Sequence, residues 1–245
     1  MLGETRRYTV HVPAGTEPRQ VLFAFHGAGG TPDDLRAGTR LDDVAAILDA
    51  VVVYPDASHF NWAEDCGCTN ADVVHGVADT AFVSAIATEL ATEFGLPDVA
   101  HLAVGFSQGG MFVHRLACQM SDRFRAVAIV AATMSVPLAE RCDPAWPVGV
   151  LSLLSTEDPI FPWGGVDEGS LSTLGARALS DGWAARNGCM GTVTDTDEIG
   201  RTRREYAGCP SGAFVKLIGV WSGTHSWIIS PSVDTDFEVA RFLQG

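Results

Sequence analysis

Lysine is nearly missing from this chain, Lys216 being the only one among 245 residues. Basic residues number 16 against 30 acidic ones, for a formal net charge of -14. Such a surface repels phosphate backbones and anionic lipids, which argues against nucleic acid or a membrane surface as a partner. No run of about 18 apolar residues is present, so no transmembrane span is expected. The opening "MLGETRRYTVHV" contains no apolar core of a signal peptide and passes directly into a strand-like alternation. Linkers, internal repeats and low-complexity tracts are also lacking, so residues 1–245 read as a single domain. What is abundant is apolar: 47% of residues, with only 19% charged, a composition that folds around a sizeable core.

Six cysteines stand at positions 66, 68, 118, 142, 189 and 209, which allows 15 pairings if all are oxidised. The pattern Cys66-Gly67-Cys68 followed by His75 resembles half of a metal site, but no second ligand pair follows at short spacing. Disulfides are therefore expected rather than a metal, and no cofactor is implied; with no signal peptide in view, the alternative is a cytosolic protein with free thiols. Oxidised cysteines would place the protein in an exported compartment.

Short apolar runs alternate with helix-period segments along the chain, the pattern of a mostly parallel, doubly wound α/β sheet with helices on both faces. Strands are predicted at 8–12, 21–25, 51–55, 100–105, 126–131, 148–154 and 214–221. Helices are predicted near 32–49, 75–95, 108–120, 168–187 and 233–244. In the second of these, Val77, Phe82, Val83, Ile86, Leu90 and Phe94 recur at spacings near three and four. Sites in such folds lie beyond the carboxyl ends of the strands, which directs attention to 26–30, 56–68, 106–110, 156–165 and 222–227.

"GFSQG" at 105–109 fits the nucleophile elbow, with an apolar strand before it and a helix after it. A strand turning that sharply brings the positions two before and two after the serine together, and Gly105 and Gly109 avoid the collision. A serine hydroxyl needs a base, and in this arrangement the acid and then the histidine follow it in the chain. Only His114 and His225 lie after Ser107. His114 is seven residues along the same helix, roughly 10 Å away and out of reach. His225 remains, in "SGTHSW" after the last strand. Asp158 is the acid of choice in "STEDPIFP", with Glu157 as its rival, because Pro159 and the "PWGG" segment close a turn around it. Oxyanion donors are expected from the backbone N–H groups of Gln108 and of Ala28 in "HGAGG", with Gly29 the next candidate. Trp62, Trp163 and Trp227 fall in loops at the same end and are candidate substrate-binding residues.

The segments "VLFAFHGAGGTPDDL", "VGFSQGGMFVHRLAC", "DPIFPWGG", "WAARNGC", "YAGC" and "GTHSW" resemble, in order and spacing, the α/β-hydrolase family of extracellular feruloyl esterases and polyhydroxybutyrate depolymerases. The likeness runs from about Tyr8 to Phe242. It implies a single-domain α/β-hydrolase fold and the same triad of Ser107, Asp158 and His225. It also implies that Cys189 pairs with Cys209 and Cys118 with Cys142, leaving Cys66 and Cys68 to each other or to another partner, and that the protein is secreted. The chain departs from the family in having Gln108 where Asn is frequent, Leu154-Ser155-Thr156 where His-Gly-Thr is frequent, and Trp227-Ile228-Ile229 where Trp-Pro-Gly is frequent. These departures concern the pocket wall rather than the chemistry.

The expected function is thus serine carboxylic-ester hydrolysis through an acyl-enzyme, on a small-molecule or polymeric ester. Feruloyl or hydroxycinnamoyl esters of plant polysaccharide come first, and short-chain polyesters or acetyl esters come second. A non-catalytic carbohydrate-binding module on the same fold is the alternative of another class, and acyl transfer to a sugar acceptor a third. The loops at 56–75 and 159–175 are long enough to shape an open groove without a separate lid.

Overall fold

The computed structural model describes residues 5–66, 70–97, 100–167 and 172–245. Nine strands form one sheet in the order β1-β3-β2-β4-β5-β6-β9-β8-β7. They are β1 (Tyr8–His11), β2 (Gln20–Phe25), β3 (Ala50–Pro55), β4 (His101–Phe106), β5 (Phe124–Val130), β6 (Gly149–Ser155), β7 (Val193–Glu198), β8 (Arg201–Tyr206) and β9 (Val215–Val220). The six central strands are parallel, from β3 through β9, while β1 at one edge and the β7–β8 hairpin at the other run antiparallel.

Strand periodicity sorts the apolar side chains onto two faces. Val21, Phe23 and Phe25 point into one core with α3 (Asn70–Phe94), α4 (Gln108–Gln119) and α6 (Ala176–Arg186). Leu22 and Ala24 point into the other, with α1 (Pro32–Gly38), α2 (Leu41–Ile47) and α7 (Thr235–Gln244). Both faces are covered by helices, which is why the central strands are apolar at nearly every position. The fold is that of a single-domain α/β-hydrolase.

Four features differ from the sequence expectation. The helix predicted at 32–49 is two helices, broken at Thr39 and Arg40, where Thr39 is extended. The Arg40 side chain there pairs with Asp234 and Asp236 at the start of α7. The helix predicted at 168–187 begins at Ala176, and residues 168–171 lie outside the described residues. A short helix, α5 (Val136–Arg141), follows β5. The β7–β8 hairpin carries no hydrophobic alternation, since β7 is Val-Thr-Asp-Thr-Asp-Glu and almost wholly exposed. It is held instead by its ladder to β9 and by ion pairs such as Arg204 with Asp195 and Asp181.

Two disulfides join Cys118 to Cys142 and Cys189 to Cys209, the pairings that the resemblance implies. Cys66 is disulfide-bonded, while Cys68 lies outside the described residues. Among the described residues no group of His, Cys, Asp and Glu is gathered as for a metal.

Candidate active site

Ser107 caps α4 with φ 53° and ψ -126°, a left-handed backbone that costs on the order of 1–3 kcal/mol for a residue with a side chain. The surrounding glycines make that turn sterically feasible. A Cβ on Gly105 would overlap the carbonyl oxygen of Gly109, and a Cβ on Gly109 would overlap that of Phe25. The Ser107 N–H still donates to the Val130 carbonyl at 2.9 Å, and the N–H groups of Gly110 and Met111 donate to its own carbonyl. The hydroxyl is thereby held at the end of β4, half-buried at the carboxyl edge of the sheet.

His225 follows β9 and Asp158 follows β6, so both loops leave the sheet at that same edge. His225 Nδ1–H donates to Asp158 Oδ2 at 2.8 Å, and the Ser107 hydroxyl donates to His225 Nε2 at 2.8 Å. A carboxylate only accepts, so this chain of contacts fixes the imidazole tautomer with Nε2 free to take a proton. Asp158 is buried, and its other oxygen accepts from the N–H groups of Ile160 at 2.8 Å and Phe161 at 2.9 Å. Three hydrogen bonds thus orient one carboxylate. Glu157, the rival carboxylate, is exposed. The His225 ring lies between Phe106, at 5.3 Å, and Phe161, at 5.7 Å. Neither phenylalanine was singled out by the sequence, although each is adjacent to a motif: Phe106 precedes the serine and Phe161 follows the acid by three.

The glycine-rich loop after β2 packs against Ser107, so that a Cβ on Gly27 would stand 3.1 Å from Ser107 Cβ. Gly29 takes φ +72°, and its N–H donates to the Phe60 carbonyl. Among the described residues, the Ala28 N–H has no backbone acceptor, and the first N–H of a helix, here Gln108, has none by geometry. His26 at the base of this loop is buried. Its Nδ1–H donates to the Gly27 carbonyl at 2.8 Å, and Nε2 accepts from the Ala57 N–H at 3.2 Å. Desolvation holds this imidazole below its ordinary pKa, outweighing the hydrogen bond to Gly27.

The three tryptophans separate. Trp227 lines a cavity of about 230 Å³ together with Ala28, Leu35 and Phe106, and its indole N–H donates to Asp236 at 3.2 Å. Trp163 is half-buried with its ring over β9, where a Cβ on Gly219 would meet it at 2.5 Å. Trp62 is wholly buried, stacked on Phe112 at 5.0 Å and edge-on to Phe25 at 5.2 Å. It is core rather than a substrate wall. His114 is also fully buried and accepts from the Trp183 indole N–H at 3.2 Å, so it serves packing. Parts of the two long loops, 67–69 and 168–171, lie outside the described residues.

The serine at this strained strand-to-helix turn is hydrogen-bonded to a histidine that a buried carboxylate orients, and the three stand together at the carboxyl edge of an α/β-hydrolase fold. The chain belongs to the Esterase family, described as "Putative esterase", whose sequence profile matches residues 1–183. The "Putative esterase NocK" of Nocardia uniformis subsp. tsuyamanensis is 32% identical over 176 residues, covering 70% of this chain and 50% of that protein. The chain therefore spans about half the length of that relative. Feruloyl esterase D of Neurospora crassa is 26% identical over 241 residues, covering 91% of this chain and 75% of the other. Among solved structures, an acetyl xylan esterase from Aspergillus awamori superposes with a TM-score of 0.67 over 96% of this chain and 93% of its own, at 13% identity. That likeness concerns the fold.

Proposed function

We propose that the protein is a serine carboxylic-ester hydrolase working through an acyl-enzyme, with hydroxycinnamoyl esters such as feruloyl esters of plant polysaccharide as its substrates. The observation that carries this reading is the continuous Asp158–His225–Ser107 relay, with both hydrogen bonds at 2.8 Å. Ser107 Oγ attacks the ester carbonyl as His225 Nε2 takes its proton. The oxyanion forms against the N–H groups of Gln108 and Ala28, and His225 returns the proton to the leaving alcohol. Water then attacks the acyl-enzyme with His225 again as base. Asp158 stabilises the imidazolium in both halves without taking a proton itself.

The feruloyl assignment draws on Feruloyl esterase D as a relative over most of the chain. It also draws on the cavity of about 230 Å³ lined by Ala28, Trp227 and Phe106, the residue before the serine, which is far larger than an acetyl group needs. The two disulfides support an extracellular setting, where such bonds persist.

The test is release of ferulate from methyl ferulate, with p-nitrophenyl acetate as a generic ester. Both activities are expected, and Ser107→Ala should lower kcat by about 10⁴ to 10⁶. Cleavage of the acetate ester alone would move the substrate to acetyl esters or short polyesters. Activity on neither would return the fold to a binding role. Asp158→Asn is expected to lose most activity and Glu157→Gln almost none; the reverse would reassign the acid.

A further inference from the structure

The two oxyanion donors sit on different elements, Ala28 on the loop after β2 and Gln108 at the start of α4. Something has to set the gap between them, because donors misplaced by about 1 Å can cost on the order of 10² in rate. One buried residue touches both sides. The Trp62 backbone N–H donates to Gln108 Oε1 at 3.2 Å, and its indole N–H donates to the His26 carbonyl at 3.0 Å, two residues before Ala28.

The segment around Trp62 is itself tied to the same two elements. Ala57 N–H donates to His26 Nε2, and Phe60 accepts from the Gly29 N–H at 2.9 Å. Gln108 Nε2 donates to the buried Glu64 carboxylate at 3.3 Å. Ala63 is gripped through its N–H by Asp79 at 2.9 Å and through its carbonyl by Arg115 at 2.7 Å. Residues 57–64 thus contact both halves of the oxyanion hole.

We infer that Trp62 is a positioning residue that braces the oxyanion hole, its two N–H groups fixing the Ala28 loop and the Gln108 turn at a set separation. This rests on the serine-esterase reading above. The burial of Trp62 follows from the same role: a brace in a dry site cannot exchange its hydrogen bonds with water, so its spacing is stiff. Removing the indole N–H would leave the His26 carbonyl buried without that donor, free to shift toward another one.

The test uses Trp62→Phe, which keeps an aromatic ring and the backbone N–H, and Gln108→Met, which keeps the backbone donor and side-chain length but removes both amide contacts. Each is expected to lower kcat on methyl ferulate by about 10- to 100-fold with KM within about twofold, since the oxyanion exists only along the reaction path. Affinity for an arylboronic acid, which forms a tetrahedral adduct on the serine, should fall by a similar factor. The double variant should lose little more than the worse single one, because both act on one gap. Phe112→Leu, which loosens the packing under the Trp62 ring and touches neither donor, should lower Tm and leave kcat near wild type.

Wild-type kcat and boronate affinity in Trp62→Phe would overturn the brace, as would an equal kcat loss in Phe112→Leu at a matched drop in Tm. Should Trp62→Phe not fold, Gln108→Met removes the other contact of the same brace, the one from the Trp62 backbone N–H, and wild-type kcat and boronate affinity there would equally overturn the brace. A wild type inactive on both esters, or a Ser107→Ala variant with wild-type rate, would instead overturn the serine-esterase reading and the brace with it.

Discussion

At the β4–α4 junction the chain turns within a few residues, with almost every neighbour buried and carbonyl oxygens where two Cβ atoms would be. Along β7, at the far edge of the same sheet, nearly all the side chains are exposed, and ion pairs link the hairpin to Arg177 and Asp181 of α6. The first region is specified by steric exclusion, the second by ladder hydrogen bonds and solvent-screened charge. Exclusion leaves one sequence solution, glycine, at a given position. Exposed pairing leaves many, since each pair contributes little.

Substitutions should grade accordingly. Gly109→Ala drives a Cβ into the Phe25 and His26 carbonyls and is expected to cost about 3 kcal/mol or more. It should also abolish ester cleavage, because the same turn holds Ser107. Urea unfolding alongside turnover would show it, and a stable, active Gly109→Ala chain would break the contrast.

The next effect is on pH dependence and sits on the helix that follows the elbow. Burial, with a smaller contribution from the nearby Arg186 charge, pushes the His114 imidazole down to about 3. The folded state therefore keeps His114 neutral while the unfolded chain protonates it below about 6.5. Its contribution to stability is complete above that pH and is lost as pH falls toward 3, at about 1.4 kcal/mol per unit. The urea midpoint of His114→Gln should fall less steeply between pH 6.5 and 4 than that of wild type. Equal slopes would mean that carboxylates alone govern acid unfolding.

The smallest effect belongs to the hairpin. Arg204→Gln removes contacts to Asp195 and Asp181, both about half exposed, and should change stability by less than about 1 kcal/mol. A loss as large as that of Gly109→Ala would show the hairpin to be an integral part of the core and erase the distinction.

The same contrast explains what could be read before the structure. Six strands are legible because both sheet faces are covered, which makes Val21–Phe25 or Val51–Tyr54 apolar at every position, and the half-exposed edge strand β1 is legible from its alternation. The β7–β8 strands were missed because exposed Thr, Asp and Glu carry no period-two hydrophobic signal. A clue was present in Glu198-Ile199-Gly200-Arg201, where Gly200 takes φ +79° at the hairpin turn. The single helix read at 32–49 ignored Gly38 and Thr39, whose break is held by Arg40 reaching Asp234 and Asp236, nearly 200 residues away in the chain.

The sequence by itself determined an order of residues: an elbow serine, then a carboxylate, then a histidine, each placed just after a strand of the sheet, β4, β6 and β9. Strand–turn geometry is local, so glycine spacing and the turn around Asp158 suffice to mark those positions. Only the tertiary structure decided what the aromatic residues do. Trp62, Trp163 and Trp227 look alike in sequence, yet one is wholly buried between His26 and Gln108, one covers β9, and one lines the cavity. Burial is set by segments that meet across long stretches of chain, 46 residues between Trp62 and Gln108, and no local pattern encodes which side of a ring will face water.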